Sequence, residues 1–182
     1  MNASQIAELR AVAREMERDA TISACGLYRY SLTRSWGEGK RFVAWIMLNP
    51  STADATVDDP TIRRCIAFSK AWGYDALEVV NLFALRSPNP EDLRDCQEVG
   101  MDPVGPENDR MLDWTLSRAD VLVAAWGAHK MARARFDAIR WLPALHRDKR
   151  LQCLGTTKDG SPRHPLYVPG SASLVALVGV AP

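Results

Sequence analysis

The chain has 182 residues, 47% of them hydrophobic, and no linker rich in Pro, Gly or Ser divides it, so we expect a single domain over residues 1–182. Its apolar runs are too short to cross a bilayer, and it carries no recognisable signal peptide, repeat or low-complexity tract. These features predict a soluble cytoplasmic protein and disfavour the membrane and secreted classes.

The net charge of +1 hides an uneven distribution. Residues 130–163 hold nine Lys/Arg against three Asp/Glu, so this basic segment either faces phosphates or forms a solvated helix surface. Four widely spaced cysteines without a Cys-x-x-Cys or Cys/His pairing are typical neither of a zinc site nor of a disulfide framework (Cys25, Cys65, Cys96 and Cys153). No metal and no cofactor is expected.

The first half of the chain predicts a helix, a hairpin and a second helix. Residues 3–18 are rich in Ala, Glu and Arg with apolar residues at helical spacing, which predicts an amphipathic helix. The alternating stretch 27–36, a Gly-Glu-Gly turn and the apolar run 41–48 predict a hairpin that leads into a buried strand. An Asp-Pro start and a closing glycine predict the next helix over 59–73.

The second half alternates between strands and helices. The predicted elements are a strand at 77–81, a loop-rich connection at 88–106, a helix at 107–119, a strand at 120–125, a helix at 129–142 ended by Pro143, a strand at 151–154 and a closing helix at 171–180. Short strands that are apolar on both faces indicate an open, mainly parallel α/β sheet of four strands. We therefore predict a three-layer α/β/α sandwich, with the N-terminal helix and hairpin added to it.

Each of the four predicted strands is followed at once by polar or small residues. In a parallel sheet all the carboxyl ends lie on one edge, and ligands bind in the crevice outside them. We therefore expect one pocket lined by the residues that follow these strands, which are Asn49-Pro50-Ser51, Asn81 with Arg86, Gly127-Ala128-His129, and Gly155-Thr156-Thr157-Lys158.

Taken singly, these residues have simpler explanations. Asn49 before a proline is also typical of a turn, and the buried amide of Asn81 can serve a neighbouring loop as well as the edge of a nucleobase. Lys158, Arg163 and His164 share a loop rich in Gly and Pro that can gather an imidazole and phosphate-binding charges, although surface histidines are common. The acidic run Asp54, Asp58 and Asp59 suggests a divalent metal, but Asp59 is equally explained as a helix cap.

In this order, the motifs resemble the uracil-DNA glycosylase superfamily, in particular its mismatch-specific uracil/thymine branch. WIMLNPS is similar to its first strand ending in Asn-Pro, VVNLFALRSPNPEDL to its second strand, LVAAWG to its third, and RHPLY to the His-Pro loop that closes its active site. The chain departs from that pattern at Ser51, where the branch has glycine, and after His164-Pro165, where no serine follows.

The chain also closely resembles the bacterial and phage domain-of-unknown-function family 1643. The matching motifs are LNPSTAD, the RC and WGY around Cys65 and Trp72, and GTTKDGSPRHPLY, and they cover nearly the whole chain. This second resemblance brings no activity with it.

The glycosylase resemblance implies an N-glycosidase that removes a modified or mismatched base from DNA or a nucleotide, as in DNA repair, base modification or phage defence. Asn49 would position the water and His164 would donate a hydrogen bond to the departing base. The implied substrate contacts are Ser51, Asn81, Arg86, Lys158, Arg163, Leu166 and Tyr167, the last two as a wedge or as ordinary loop packing.

Two other classes of function stay open at this stage. The fold can serve as a module that binds DNA, a nucleotide or a modified base without cleaving it. The acidic run can alternatively serve a metal-dependent phosphohydrolase.

Overall fold

The computed structural model describes Gln5 and residues 16–38, 41–51, 53–146 and 151–177. Within these residues seven strands form one mixed sheet in the spatial order β1-β2-β4-β3-β5-β6-β7. The strands are β1 (Glu17–Ile22), β2 (Arg29–Ser35), β3 (Phe42–Met47), β4 (Ala76–Asn81), β5 (Val121–Ala124), β6 (Leu151–Cys153) and β7 (Val175–Ala176).

The middle of the sheet consists of the four strands that the sequence predicts. β4, β3, β5 and β6 are neighbours and run parallel, with Trp45 of β3 opposite Val79 on one side and Val123 on the other. Their central residues are buried because helices cover both faces. The carboxyl ends of these strands therefore lie along one edge.

Five α-helices lie between and after the strands of the described chain. They are α1 (Pro60–Ala71), α2 (Asp92–Glu98), α3 (Asn108–Arg118), α4 (Lys130–Ile139) and α5 (Pro143–His146), and a 3-10 helix covers Pro165–Tyr167. None of the described helices combines the length and the apolarity needed to span a bilayer.

Two apolar clusters, one on each face, hold the helices to the sheet. On one face α1 contributes Ile62 and Phe68, which pack with Trp45 of β3. On the other face α3 and α4 contribute Leu112 and Phe136 among others. Successive β3 side chains point alternately into one cluster and the other, as the two-residue period of a strand requires.

The start of α1 follows directly from the sequence. Asp59 accepts a hydrogen bond from the Ile62 amide through Oδ1 at 2.8 Å, and Pro60 occupies the first turn, where its missing N–H costs nothing. The helix ends at Ala71, and Gly73 follows with a φ of +77°, a conformation that glycine adopts without strain. The cap at Asp59 therefore fixes where the segment between β3 and α1 ends.

The predicted hairpin between residues 27–36 and 41–48 is wrong. β2 pairs antiparallel with β1 and β4, and β4 separates it from β3. The amides of Trp36 and Gly37 both donate to the Asp75 carbonyl, which fastens the end of β2 to the start of β4. β2 is buried along most of its length, so a position between two strands covers it better than an edge hairpin would.

The strand count of four is also wrong, because three antiparallel strands extend the parallel centre. The predicted helix over 3–18 is wrong at residues 17–18, which belong to β1. Most of the residues before them lie outside the described part of the chain. Residues 175–176 form β7 against β6 instead of the predicted closing helix, and residues 178–182 lie outside the description. In both cases pairing with an available sheet edge overrides the local helical pattern.

Two smaller boundaries also differ from the prediction. The connection 88–106, predicted as loop-rich, contains α2. α4 ends at Ile139 rather than at Pro143, which instead begins the short helix α5. Pro143 lies in the first turn of α5, where a proline is well tolerated.

Candidate functional site

A cavity of about 530 Å³ opens at the carboxyl edge of the parallel strands. Its walls come from the ends of β3 and β4, the segment 126–129 after β5, the first turn of α1, the loop 87–91, and residues of β2 and of the His-Pro loop. Among the residues predicted as site residues, those that line it are Asn49, Ser51, Asn81, His164 and Tyr167.

Asn81 contributes a buried amide that has no hydrogen-bond partner in the described structure. The residue is 1% exposed, and neither Nδ2 nor Oδ1 has a hydrogen-bond partner among the described residues. Val79 lines the cavity with it, whereas Val80 packs in the cluster on the opposite face, so the Asn81 side chain points to the cavity side of the sheet. Leaving a buried polar group unpaired costs about 1–3 kcal/mol, which makes Asn81 a candidate for contact with a ligand or water.

Asn49 is held by the backbone on one side only. Its Nδ2 donates to the carbonyls of Pro50 at 3.2 Å and Ser87 at 2.9 Å. These bonds fix the amide plane and leave Oδ1 without a bond from any residue of the described part. The turn explanation of this residue is therefore partly correct, and its carbonyl oxygen remains an acceptor at the cavity wall.

Ser51 and Asp59 form a fixed pair in the same wall. The Ser51 hydroxyl donates to Asp59 Oδ2, while Asp59 Oδ1 caps α1. Both residues line the cavity. The carboxylate is thus used by the fold, and it also supplies a negative charge that acts on the neighbouring groups.

His164 lies at the start of the 3-10 helix and faces the cavity. Its Nδ1 accepts from the Leu166 amide at 3.4 Å, so the neutral imidazole carries its proton on Nε2 and can donate there. Burial lowers its pKa below the ordinary value of 6.5, and the charge of Asp59 partly opposes this shift. A side chain at Gly127 would contact the Cβ of His164, so the segment after β5 lies against this loop.

Arg64 of α1 holds the His-Pro loop in place. Its Nη2 donates to the Val168 carbonyl at 2.6 Å and its Nε to the Pro165 carbonyl at 3.3 Å. Tyr167 is 78% exposed at the cavity mouth, with its ring centroid 5.6 Å from that of His164. The loop is therefore anchored at its backbone, and the aromatic side chain at its tip is free of the core.

Arg29 is a cavity residue that the sequence analysis missed. It lies on β2, is 2% exposed, and donates through Nη1 to the Ala53 carbonyl, whereas its Nε has no partner in the described chain. Arg34 on the same strand donates to the Asp54 carbonyl, so two buried arginines hold the segment between β3 and α1. No local signal reveals them, since alternating polar residues in a strand ordinarily face solvent.

His129 and Trp126 complete the wall after β5. His129 caps α4, accepting from the Met131 amide at 3.3 Å, and its Nε2 lies 3.8 Å from a Glu91 carboxylate oxygen. Trp126 is stacked on Phe136 with ring centroids 4.7 Å apart and gives the cavity an apolar surface. The sequence already places His129 in the expected pocket, directly after the third predicted strand, but assigns it no role.

Four predicted site residues lie outside the cavity wall. Arg86 is half-buried and donates to the Gly26 carbonyl, and Lys158, Arg163 and Leu166 are exposed. Arg163 donates through Nε to the Thr156 carbonyl at 3.0 Å. Any contact of these four residues with a ligand would take place outside the cavity.

The acidic run is distributed among structural contacts. Asp58 forms ion pairs with Arg18 and Arg34, and Asp54 accepts from the amides of Thr56 and Val57. The described residues contain no group of three His, Cys, Asp or Glu side chains arranged to hold a metal ion. These contacts give no support to the phosphohydrolase alternative.

Comparison with known proteins connects this fold to one family. No curated protein and no solved structure matches the chain. The model of DUF1643, described as a protein of unknown function, matches residues 29–166 and so covers β2 to the 3-10 helix, including every cavity residue except Tyr167. The chain therefore belongs to the DUF1643 family.

Proposed function

We propose that the protein is an N-glycosidase, similar to the uracil-DNA glycosylase superfamily, which releases a modified or mismatched base from DNA or from a nucleotide. The observation that carries the proposal is the unpartnered buried amide of Asn81, in one cavity with Asn49 and His164. The cavity volume of about 530 Å³ is within the usual range of small-molecule sites. We also propose that the fold is a three-layer α/β/α sandwich similar to that of the uracil-DNA glycosylases.

Asn81 would read the edge of the base. Its amide offers both a donor and an acceptor, which match the paired acceptor and donor of a nucleobase edge. Burial makes this contact selective, because a base that does not match leaves the amide unpaired in a dry site. In the free protein the amide carries that cost already.

Asn49 would hold the attacking water. In the reaction the bond between C1′ and the base nitrogen breaks with its electron pair leaving on the base. The water oxygen bonds to C1′, and its proton ends on the base. Because Nδ2 of Asn49 is tied to two backbone carbonyls, its Oδ1 has a fixed direction in which to accept a hydrogen bond from that water.

His164 would stabilise the departing base. A neutral imidazole with its proton on Nε2 donates a hydrogen bond to the base oxygen that gains negative charge. The lowered pKa keeps His164 neutral near pH 7, which preserves this tautomer. The role therefore needs no proton transfer from an imidazolium.

Contacts beyond the cavity would serve a DNA substrate. Leu166 and Tyr167 are exposed on the loop after His164, where they can fill the space left by an extruded base. Lys158 and Arg163 are exposed on the same loop segment and can contact flanking phosphates. A free nucleotide as substrate would not need these contacts.

The test is a release assay with DNAs and nucleotides that carry deaminated, oxidised or otherwise modified bases, with free bases identified by mass spectrometry. With a responsive substrate, Asn49→Ala should retain binding and lose base release by orders of magnitude, since its contact matters in the transition state. Gln97→Ala is the control, because Gln97 carries an exposed amide on α2 and does not line the cavity. No release across a broad panel would refute the activity.

A module that binds without cleaving is the second candidate. The observation that favours it is that the Nδ2 bonds of Asn49 are also those of an asparagine that only fixes a loop. In that case a modified base or nucleotide would bind with no product, and Asn49→Ala and Asn81→Ala would weaken binding alike.

A further inference from the structure

Arg29 is a buried cation that has no ion-pair partner among the described residues. Its side chain is buried at the cavity, and within the described chain no carboxylate oxygen lies within 4.0 Å of its nitrogens. The Ala53 carbonyl accepts from Nη1, and Nε is buried and unpaired. A guanidinium has five N–H donors, so most of its hydrogen-bonding capacity is unused.

Two carboxylates lie near Ala53 in the sequence, and both already accept hydrogen bonds from other groups. Asp59 caps α1 and accepts from Ser51, and Asp54 accepts from the amides and hydroxyl of its own turn. Their charges attract Arg29 without pairing with it. Among the described residues, the fold therefore supplies negative charge near Arg29 but no ion pair with it.

Two further arginines increase the positive charge. Arg34 and Arg86 both act on Arg29 and disfavour its charged form. Arg34 is paired with Asp58, whereas Arg86 donates to a carbonyl and its buried Nε has no partner among the residues that the structure describes. Burial first, and these charges after it, lower the pKa of Arg29 to about 10, so it is still charged at pH 7.

A buried charge without an ion-pair partner is costly, and strongly perturbed buried groups cluster at functional sites. We propose that the cavity binds a ligand that carries an anionic oxygen group, a phosphate or a carboxylate, and that Arg29 receives this group. The inference rests on the proposed function for the remainder of the ligand, a nucleobase against Asn81.

The substrate class follows from the two contacts together. A base at Asn81 and an anion at Arg29 share one cavity of about 530 Å³, so both belong to one small molecule or one nucleotide unit. The ligand is a nucleoside monophosphate or a base with an acid substituent, rather than a neutral nucleoside. Arg29 is then a specificity-determining residue beside the base-reading amide.

The first experiment uses the wild-type full chain and matched ligand pairs. Isothermal calorimetry and thermal shift would compare each nucleoside with its 5′-monophosphate, uracil with its 6-carboxylate, and inorganic phosphate alone. The anionic member of at least one pair should bind at least about tenfold tighter, the size of one charge-assisted hydrogen bond. The phosphate and carboxylate arms separate the two sources of the anion.

The second experiment uses variants. Arg29→Gln should remove the preference for the anionic member, and Arg29→Lys should keep part of it, because lysine retains the charge without the planar fork. Arg110→Gln is the control, an exposed arginine of α3 paired with Glu107, and it should keep the wild-type preference. Should either Arg29 variant fail to fold by circular dichroism, the wild-type comparison still decides.

Three outcomes would overturn the inference. They are equal binding of neutral and anionic members in every pair, no binding of any anionic probe, and an anion preference that survives in folded Arg29→Gln. The proposed function fails separately. Base release without an anion preference removes the inference alone, whereas anion preference without base release removes the glycosidase and keeps the site.

Discussion

Replacing Asn81 by leucine is expected to stabilise the free protein. The Asn81 amide is buried with both polar atoms unpartnered in the described structure, so the fold gains nothing from its polarity. Leucine has a similar branched shape, and position 81 lies in the cavity wall. The same change should abolish ligand binding at this position, so stability and function should move in opposite directions.

The size of the effect follows from the cost of an unpaired buried group. Each such group costs about 1–3 kcal/mol, and water entering the cavity recovers part of it. We expect a net gain of about 1–2 kcal/mol in the free energy of unfolding. For a chain of this length that raises the midpoint of thermal unfolding by about 2–8 °C.

Urea and thermal unfolding, each followed by circular dichroism, would measure the change. Asn108→Leu is the control, because Asn108 is equally buried and its Oδ1 is also unpartnered among the described residues, but its Nδ2 donates to the carbonyls of Asn81 and Leu82 at 3.0 and 3.1 Å. That variant should lose about 1–3 kcal/mol. A comparable loss in Asn81→Leu would mean that the Asn81 amide serves the fold, and the argument for a ligand site there would fail.

Three further outcomes test other parts of the structure. Asp59→Ala should cost about 0.5–2 kcal/mol in urea unfolding because α1 loses its cap, and unchanged stability would contradict this. Arg34→Leu should cost about 3 kcal/mol, since it leaves Asp58 without its fully buried partner, whereas Arg110→Leu on the surface should cost little. Because burial lowers the pKa of His164, the unfolded chain binds its proton first as the pH falls through 6.5, so stability is lost on acidification through that window. Thermal unfolding of His164→Asn between pH 8 and 5 should show a weaker dependence, and an identical one would refute the role of burial.

The parallel centre of the sheet could be predicted because its signals are local. Buried parallel strands are short runs that are apolar on both faces, and polar residues follow them where the chain leaves the core. Residues 42–47 and 121–124 fit that pattern along their whole length. Once the strands are parallel, the meeting of their carboxyl ends is a consequence of direction, so Asn49 and Asn81 could be expected on one cavity. His164 lies well beyond the end of β6, and its place in the site was expected from the resemblance of the His-Pro loop.

The antiparallel strands could not be predicted because their partners are far away in sequence. β2 pairs with β4, more than forty residues later, and nothing between residues 27 and 48 indicates that a hairpin is not formed. β7 has only two residues, and its apolar surroundings fit a helix equally well. In both cases the free edge of an existing sheet decides the structure, and that edge exists only in the folded chain.

The misplacement of β2 also concealed Arg29. On a solvent-facing hairpin an arginine is a surface charge, whereas between β1 and β4 the same residue is buried at the cavity wall. The pairing of β1 with β2 shifts register between Thr21 and Ile22, so that Tyr30 is passed over and Arg29 pairs with Ile22. The wrong strand pairing predicted for β2 therefore also left Arg29 out of the predicted site, because the position of a strand in the sheet determines which of its charged residues are buried.

The cavity wall divides into groups that the fold satisfies and groups that it leaves open. Ser51 and Asp59 bond to each other, and Nδ2 of Asn49 is tied to two carbonyls, so these residues shape the wall whether or not a ligand is present. The amide of Asn81 and the Nε of Arg29 have no such partners in the described part of the chain, and they raise the free energy of the unliganded protein. A ligand that pairs both removes that cost on binding, which makes affinity depend on the match to a base edge and an anion rather than on buried area alone.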